Sequence, residues 1–255
     1  MMIMPATAGE RLTLRLGGIN EFNYLSDLLT QVLEAEGYEV EIIKVSNVPM
    51  TRMERMLEDG QITAMMLGQT PHRSEHFLPV EVAMTDNLMN QRILFIPRDE
   101  QHRYNDVETL EDFRALGLMA GMGISWRDYG IWLANNLPVY GVPGDWRRLY
   151  DMLAFGNRGI DYLPRGAQEM AKEWQEHPKL DVEQNLVLVY DTDHVLYISP
   201  EEADLHRLLS KLLPEASRSG LIGNLVEEHY PEVLEPPVNL TERRVISLTA
   251  RPGGF

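Results

Sequence analysis

Two arginines at the ends of predicted strands, Arg73 and Arg165, are the side chains of this chain best suited to chemistry. A guanidinium grips a carboxylate through parallel hydrogen bonds, and a hydrogen bond to a charged group contributes roughly 1.5 to 3 kcal/mol. Nearby aromatic rings, hydroxyls and free backbone amides complete a set that suits a small anionic or zwitterionic solute. The predicted ligand-binding residues are Phe22, Tyr24, Gly68, Gln69, Thr70, Arg73, Gly123, Ser125, Trp126 and Arg165.

Structural roles compete with ligand binding at three of these positions. Arg73 can instead form a surface ion pair with Glu75 or another carboxylate, and Arg165 has a structural alternative of the same kind. Trp126 can stack on a ligand or pack into its own domain. The sequence alone leaves these alternatives open.

Nucleotide binding and catalysis find little support in the sequence. The Gly121-x-Gly123-x-Ser125 segment lacks the third glycine of a dinucleotide-binding loop. No nucleophile elbow, zincin pattern or paired-carboxylate signature stands out in the chain. We therefore predict no cofactor and no enzymatic activity.

Two groups of residues have the types that bind metals. His72 and His76 stand four residues apart, but no convincing third ligand accompanies them. Asp191, Asp193 and His194 are better explained as a turn between strands. We therefore predict no metal site.

A repeated phrase indicates how the predicted site residues are positioned. Met56 to Gly60 and Met152 to Gly156 both read Met-Leu-x-x-Gly, and each copy closes an alternating series of strands and helices. Two α/β lobes are implied, each a mostly parallel sheet flanked by helices. In such sheets ligands bind beyond the carboxyl ends of the strands, which selects the loops at 17–23, 68–73, 121–125 and 164–166.

The predicted elements divide into a discontinuous first lobe, residues 10–97 and 191–255, and a second lobe, residues 98–190, with a two-strand hinge near Pro97 and Tyr190. Strands are predicted at 12–16, 38–45, 62–67, 78–84, 91–97, 116–120, 160–163, 186–190, 195–198 and 243–248. Helix starts are predicted at Asn23, Pro49, Thr109, Ser125 and Ser199.

Composition narrows the classes of partner and compartment. The formal net charge of -16 would repel nucleic acid and anionic lipid, so neither is expected as a partner. The chain has no cysteine and no run of 18 apolar residues. Ala6-Thr7-Ala8 has the small-x-small form that precedes signal cleavage, so it reads either as the end of a truncated leader or as an uninformative terminus.

The order of elements, with Thr70-Pro71-His72-Arg73 placed before Phe77, resembles the type II periplasmic solute-binding proteins of family 3, the amino-acid-binding components of ABC importers. The resemblance covers about residues 10 to 235. It implies that Arg73 binds the α-carboxylate of a solute with help from Gly68 and Thr70. It also implies contacts from Gly123 and Ser125.

The resemblance includes one departure that concerns the ligand. In the family, an acidic residue binds the amino group of the solute, and its position corresponds here to the neighbourhood of Gly166. Arg165 stands beside that position, so the chain resembles a divergent branch. That branch shares a Trp-x-Asp helix start, here Trp126 and Asp128, and the run at 162–166.

The implied protein is a periplasmic, monomeric solute-binding protein with a membrane permease as partner and no catalysis. The alternatives are a ligand-sensing module of the same fold for a membrane signalling partner, and a dehydratase-type enzyme that uses Glu21 or Glu169.

Overall fold

The computed structural model describes residues 9–18, 22–156 and 159–250, and these residues form two compact units. Unit 1 consists of the described residues of Met1–Asn87 and of Asp193–His229. Unit 2 consists of Leu88–Thr192 and the described residues of Tyr230–Arg251. The predicted leader residues 6–8 and Glu21 lie outside the described residues.

The helices and strands alternate along much of the chain. The strands are β1 (Arg11–Gly17), β2 (Glu39–Val45), β3 (Ala64–Gly68), β4 (Leu78–Val80), β5 (Gln91–Pro97), β6 (Ala120–Gly123), β7 (Val139–Val142), β8 (Leu163–Gly166), β9 (Leu180–Val182), β10 (Leu186–Tyr190), β11 (His194–Ile198) and β12 (Arg244–Leu248). The helices are α1 (Phe22–Glu34), α2 (Met50–Glu58), α3 (Pro71–His76), α4 (Leu110–Ala115), α5 (Arg127–Ala134), α6 (Arg148–Phe155), α7 (Ala167–Glu173), α8 (Ala203–Arg218) and α9 (Leu221–His229).

Unit 1 is built on a five-stranded sheet in the order β2-β1-β3-β11-β4. β1 pairs in parallel with β2 and β3, as the helical crossovers α1 and α2 require. β11 runs antiparallel to both β3 and β4. Helix α1 buries Leu25, Leu28, Leu29 and Leu33, the single apolar face that its spacing predicts.

Unit 2 contains a sheet in the order β12-β10-β5-β8, with β9 also paired to β5, and a separate β6-β7 pair. β5 is antiparallel to β8, β9 and β10, whereas β12 is parallel to β10. The prediction of mostly parallel sheets therefore holds for the strands joined by helical crossovers, and both main sheets are mixed. The core of this unit includes five buried aromatic residues, Tyr104, Phe113, Trp132, Tyr162 and Tyr190.

The compact units differ from the predicted lobe boundaries in two places. β5 was predicted in the first lobe, but it is the central strand of unit 2 because three strands pair with it. β12 also belongs to unit 2, since it pairs with β10 along five residues. Pro97 and Tyr190, the predicted hinge positions, end β5 and β10 inside that unit.

Two glycines end helices as the repeated phrase predicts. Gly60 follows α2 with φ +72°, and Gly156 follows α6 with φ +65°. Both lie in the left-handed region, which glycine adopts without the steric cost of a Cβ atom. Within the described ranges, no helix is long and apolar enough to cross a membrane.

Candidate functional site

A cavity of about 350 Å³ in unit 2 gathers two of the predicted site residues with several others. Its volume is at the lower end of the range for small-molecule sites, roughly 300 to 1,000 Å³. The lining residues come from β5, β8, the starts of α5 and α7, and the segment before α6. They are Arg92, Trp126, Arg127, Asp128, Trp146, Pro164, Arg165, Gly166 and Glu169.

Arg165 is fixed in this cavity by two carboxylates of helix α7. Its Nε and Nη2 donate to the two carboxylate oxygens of Glu173, each at 2.7 Å. Nη2 also lies 2.9 Å from Oε1 of Glu169. The Arg165 side chain is 7% exposed, so this fork of charged hydrogen bonds is shielded from water. Tyr150 extends the network by donating its hydroxyl to Oε2 of Glu173 at 2.5 Å.

Two indole rings cover the same guanidinium. The Arg165 Cζ lies 4.4 Å from the ring centroid of Trp146 and 5.3 Å from that of Trp126. The two indoles meet edge to face with their centroids 5.0 Å apart. A guanidinium within about 6 Å of an aromatic face is attracted by the ring quadrupole. Arg165 therefore sits in a cage of two indoles and two carboxylates, which we call the Arg165 cage.

Gly123 makes room for one wall of the Arg165 cage. A Cβ atom at this position would lie 2.8 Å from Nε1 of Trp126, closer than packed atoms allow. The predicted glycine loop at 121–125 begins inside a strand, because Gly123 ends β6. Ser125 was predicted to cap the following helix, but the N-cap is Trp126, and Ser125 is exposed.

A second arginine of the cavity is also paired with a carboxylate. Nε of Arg92 donates to Asp128 Oδ1, which also accepts from the Tyr190 hydroxyl. The Arg92 Cζ lies 4.8 Å from the ring centroid of Tyr190. The Trp-x-Asp helix start therefore places Trp126 on one arginine and Asp128 on another.

Asp128 and Glu173 are held in their charged form. Burial alone would raise the pKa of Asp128, but the charge and hydrogen bond of Arg92 outweigh it and lower that pKa below its usual range. Burial likewise opposes ionisation of Glu173, whereas Arg165 and the Tyr150 hydroxyl lower its pKa. The pKa of Arg165 rises despite its burial, because Glu173 and Glu169 surround it.

Four other predicted site residues lie together in unit 1, around the start of α3. Thr70 caps this helix, since its Oγ1 accepts from the Arg73 backbone N–H at 3.3 Å. Nε and Nη2 of Arg73 donate to Glu54 Oε1 at 2.9 and 2.7 Å, and Nη1 donates to the Gly68 carbonyl at 2.7 Å. Gln69 lies beside them and donates to Glu81 at 3.1 Å. The surface ion pair weighed for Arg73 thus forms, with Glu54 as the carboxylate.

The structure places the remaining two predicted aromatic residues in α1. Tyr24 is 1% exposed, its hydroxyl donates to the Met84 carbonyl, and its ring meets that of His229 edge-on at 6.0 Å. Tyr24 is thus a core residue of unit 1 rather than an aromatic platform in a loop. Phe22 begins α1, so Asn23 lies in the first turn of the helix and not at the predicted N-cap. The side chain of Phe22 lies outside the described structure.

Arg165 itself occupies a different element from the one predicted. The predicted strand at 160–163 is displaced, and β8 runs over Leu163–Gly166 with Ile93 opposite Arg165. Sequence reasoning missed Trp146 and Arg92 as site residues, and it considered Glu169 only as an alternative catalytic acid. The available signal for Trp146 was the pair of arginines that follows it in the sequence. Such a pattern is as typical of the start of a surface helix as of a binding site.

The predicted histidine pair and a second cavity share no residue with the Arg165 cage. His72 and His76 stack with ring centroids 4.3 Å apart, and within the described residues no three acidic or histidine side chains are grouped to hold a metal ion. A second cavity of unit 2, of about 530 Å³, is lined by Trp174, Pro178, Leu180 and Arg98 among others. The Arg98 guanidinium there donates to the Pro178 carbonyl. None of the predicted site residues lines this cavity.

Comparisons with known proteins bear on the fold. No protein-family model matches the chain, and no curated protein matches it in sequence. An amino acid ABC transporter substrate-binding protein from Streptococcus pneumoniae, bound to L-arginine, has a similar structure. Its TM-score is 0.55 at 12% identity, over 86% of this chain and 94% of its own.

Two ancestral proteins are similar to the same degree. An arginine-binding protein bound to glutamine gives a TM-score of 0.53 at 15% identity, over 85% of this chain and 96% of its own. An amino-acid-binding protein that is a precursor of cyclohexadienyl dehydratase gives 0.53 at 14% identity, over 86% and 95%. The predicted fold class is confirmed: the chain has the α/β fold of the type II periplasmic binding proteins. At these identities the similarity shows the fold alone.

Proposed function

We propose that this chain is an extracytoplasmic solute-binding protein that captures a small anionic or zwitterionic solute and delivers it unchanged to an ABC-type permease. The observation that carries the proposal is the Arg165 cage on the 350 Å³ cavity of unit 2. A guanidinium fixed by its own carboxylates is oriented before the solute arrives, which reduces the entropy lost on binding. The similar structures support the same role, because they include an amino acid ABC transporter substrate-binding protein.

The dehydratase alternative has one observation in its favour, the similarity to a precursor of cyclohexadienyl dehydratase. Glu169 would be its catalytic acid, and it lines the cavity. However, Oε2 of Glu169 accepts from the Gly166 N–H at 2.8 Å, and Oε1 faces Arg165 at 2.9 Å. With both oxygens engaged, Glu169 is better suited to fixing Arg165 than to proton transfer. Turnover of a cyclohexadienyl acid by the purified chain would favour the enzyme instead.

Isothermal titration calorimetry across a panel of amino acids, dicarboxylates and small inorganic anions tests the proposal. We expect saturable binding with one solute per chain. Arg165→Lys should weaken it about 10- to 100-fold, because lysine keeps the charge but loses the fork that orients the group. Arg98→Lys, which changes the arginine of the second cavity, is the matched control and should bind like the parent protein. The predicted role of Arg73 is tested in parallel with Arg73→Ala.

Two outcomes would contradict the proposal. One is a parent protein that binds no member of the panel. The other is an Arg165→Lys variant that binds the identified solute as tightly as the parent does.

A further inference from the structure

The Arg165 cage has the composition of a binding site for a cation, yet a side chain of the protein itself fills it. Two indole faces and two carboxylates are the groups with which proteins bind guanidinium and ammonium ions. Both oxygens of Glu173 and Oε1 of Glu169 face Arg165, and the Arg165 side chain is 7% exposed. The negative charge and the aromatic surface of the cage are therefore already used within the chain.

The unused hydrogen-bonding capacity of Arg165 is that of a donor. A guanidinium has five N–H groups, and Arg165 donates two of them, one from Nε and one from Nη2, to Glu173. Nη2 also lies 2.9 Å from Oε1 of Glu169. Nη1 has no hydrogen-bond partner among the described residues, and Arg165 lines the cavity. The two N–H groups of Nη1 are therefore left for an acceptor in the cavity, such as a carboxylate oxygen.

The positive charges that line this cavity would repel a cationic side chain of a solute. Arg92, Arg127 and Arg165 all line it, against Asp128 and Glu169 among the lining residues. A second guanidinium brought to the cage would lie against Arg165, and the two like charges would repel each other. The carboxylate that would have to compensate, Glu173, is already bound through both oxygens.

We propose that Arg165 acts as a built-in occupant of a guanidinium site, so that the solute of this cavity is a small carboxylate without a cationic side chain. The inference rests on the proposed function and deepens it by naming the solute class. It also separates this chain from the similar Streptococcus pneumoniae protein, which is bound to L-arginine.

The first test needs only the parent protein. L-arginine and L-citrulline differ in the charge at the end of side chains of nearly equal size, so calorimetry with both isolates the effect of that charge. We expect L-arginine to bind no more tightly than L-citrulline. We also expect the smaller carboxylates of the panel, those without a cationic side chain, to bind more tightly than either. Binding of L-arginine about ten-fold or more tightly than L-citrulline would overturn the inference.

The second test empties the cage with Arg165→Ala. We expect this variant to lose carboxylate binding and to gain binding of the free guanidinium ion at millimolar concentration, followed by tryptophan fluorescence. Guanidinium should also restore carboxylate affinity by about ten-fold or more, with no effect on the parent or on Arg98→Ala. A variant that folds but neither binds guanidinium nor recovers with it would overturn the inference.

The two proposals fail in different ways. If the parent binds a basic amino acid best, the solute class is wrong but the solute-binding function stands. If the parent binds no solute of the panel, the proposed function fails, and the solute class fails with it.

Discussion

Arg73 of unit 1 and Arg165 of unit 2 are held in nearly the same way but in different surroundings. Both direct Nε and Nη2 at a carboxylate, Glu54 for Arg73 and Glu173 for Arg165. The two carboxylate side chains are equally exposed, at 23%. The arginines differ, because Arg73 is 21% exposed and Arg165 is 7% exposed beneath two indoles.

This difference shows that ion pairs between the same residue types can form in very different surroundings. Arg73 reaches a single oxygen of Glu54, whereas Arg165 engages both oxygens of Glu173. Water screens a partly exposed pair, and it screens a buried and aromatic-covered pair far less. The same residue type therefore joins α2 to the start of α3 in unit 1 and lines a cavity in unit 2.

Removing the carboxylate that pairs with each arginine should have the largest effect on stability and tests the difference between the two pairs. Glu173→Ala leaves the buried Arg165 guanidinium without its bidentate partner and should cost about 3 kcal/mol of unfolding free energy. Glu54→Ala leaves a more exposed guanidinium that water can reach, and it should cost about 1 kcal/mol. Urea denaturation of both variants measures the two values. Equal losses would show that the burial of the arginine does not set the strength of these pairs.

Low pH should remove the stabilisation of the folded chain that the Glu173 carboxylate provides. Its pKa in the folded chain lies below the ordinary value of 4.5, despite burial, because Arg165 and Tyr150 bind the charged form. The stabilisation it provides is therefore complete above about pH 4.5 and is lost as the pH falls through the lower, folded-state pKa. The gap in unfolding free energy between the parent and Glu173→Ala should shrink over that acid range. A gap that stays constant down to pH 3 would mean that Glu173 acts through packing and not through its charge.

A smaller effect is expected from moving the Trp126 indole that covers Arg165. Gly123→Ala would place a Cβ atom 2.8 Å from Trp126 Nε1, so the indole that covers Arg165 must shift. We expect a loss of about 1 to 2 kcal/mol, a shift in tryptophan fluorescence and weaker solute binding.

Gly223→Ala is the control for this substitution. Its Cβ atom would meet its nearest neighbour, an Asp86 oxygen, at an ordinary 3.6 Å. It lies within helix α9, where alanine is favoured over glycine, so stability should hold or rise. A Gly123→Ala variant as stable and as fluorescent as the Gly223→Ala control would mean that the indole is not fixed by contact with Gly123.

Local signals in the sequence were sufficient for much of the fold. β5 and β10 begin and end at the predicted residues, 91–97 and 186–190, because the apolar runs at 93–96 and 186–190 mark buried strands. The capping box at Thr109 and Asp112 forms as its spacing predicts. These features depend on residues within a few positions of each other.

The site was less accessible to sequence reasoning because its contacts join distant positions. Arg165 and Trp126 were named, but the carboxylates that fix Arg165 lie on the next helix, and Trp146 comes from another loop. Arg92 is the second residue of β5, near a strand end, where an arginine usually faces solvent. Its pairing with Asp128 depends on how β5 and α5 pack together, which no local pattern specifies.

The smallest effect is expected from the helix cap that carries Arg73. The hydroxyl of Thr70 accepts from the Arg73 N–H at 3.3 Å, at the start of a six-residue helix with no buried residue. Thr109 caps α4 with a reciprocal bond, because Asp112 Oδ2 accepts from its N–H at 2.9 Å. We expect Thr70→Ala to cost about 0.5 kcal/mol and Thr109→Ala about 1 kcal/mol, measured by urea denaturation. If Thr70→Ala costs more than Thr109→Ala, the Arg73 segment is tied to unit 1 more firmly than its contacts indicate, and the contrast with Arg165 loses its basis.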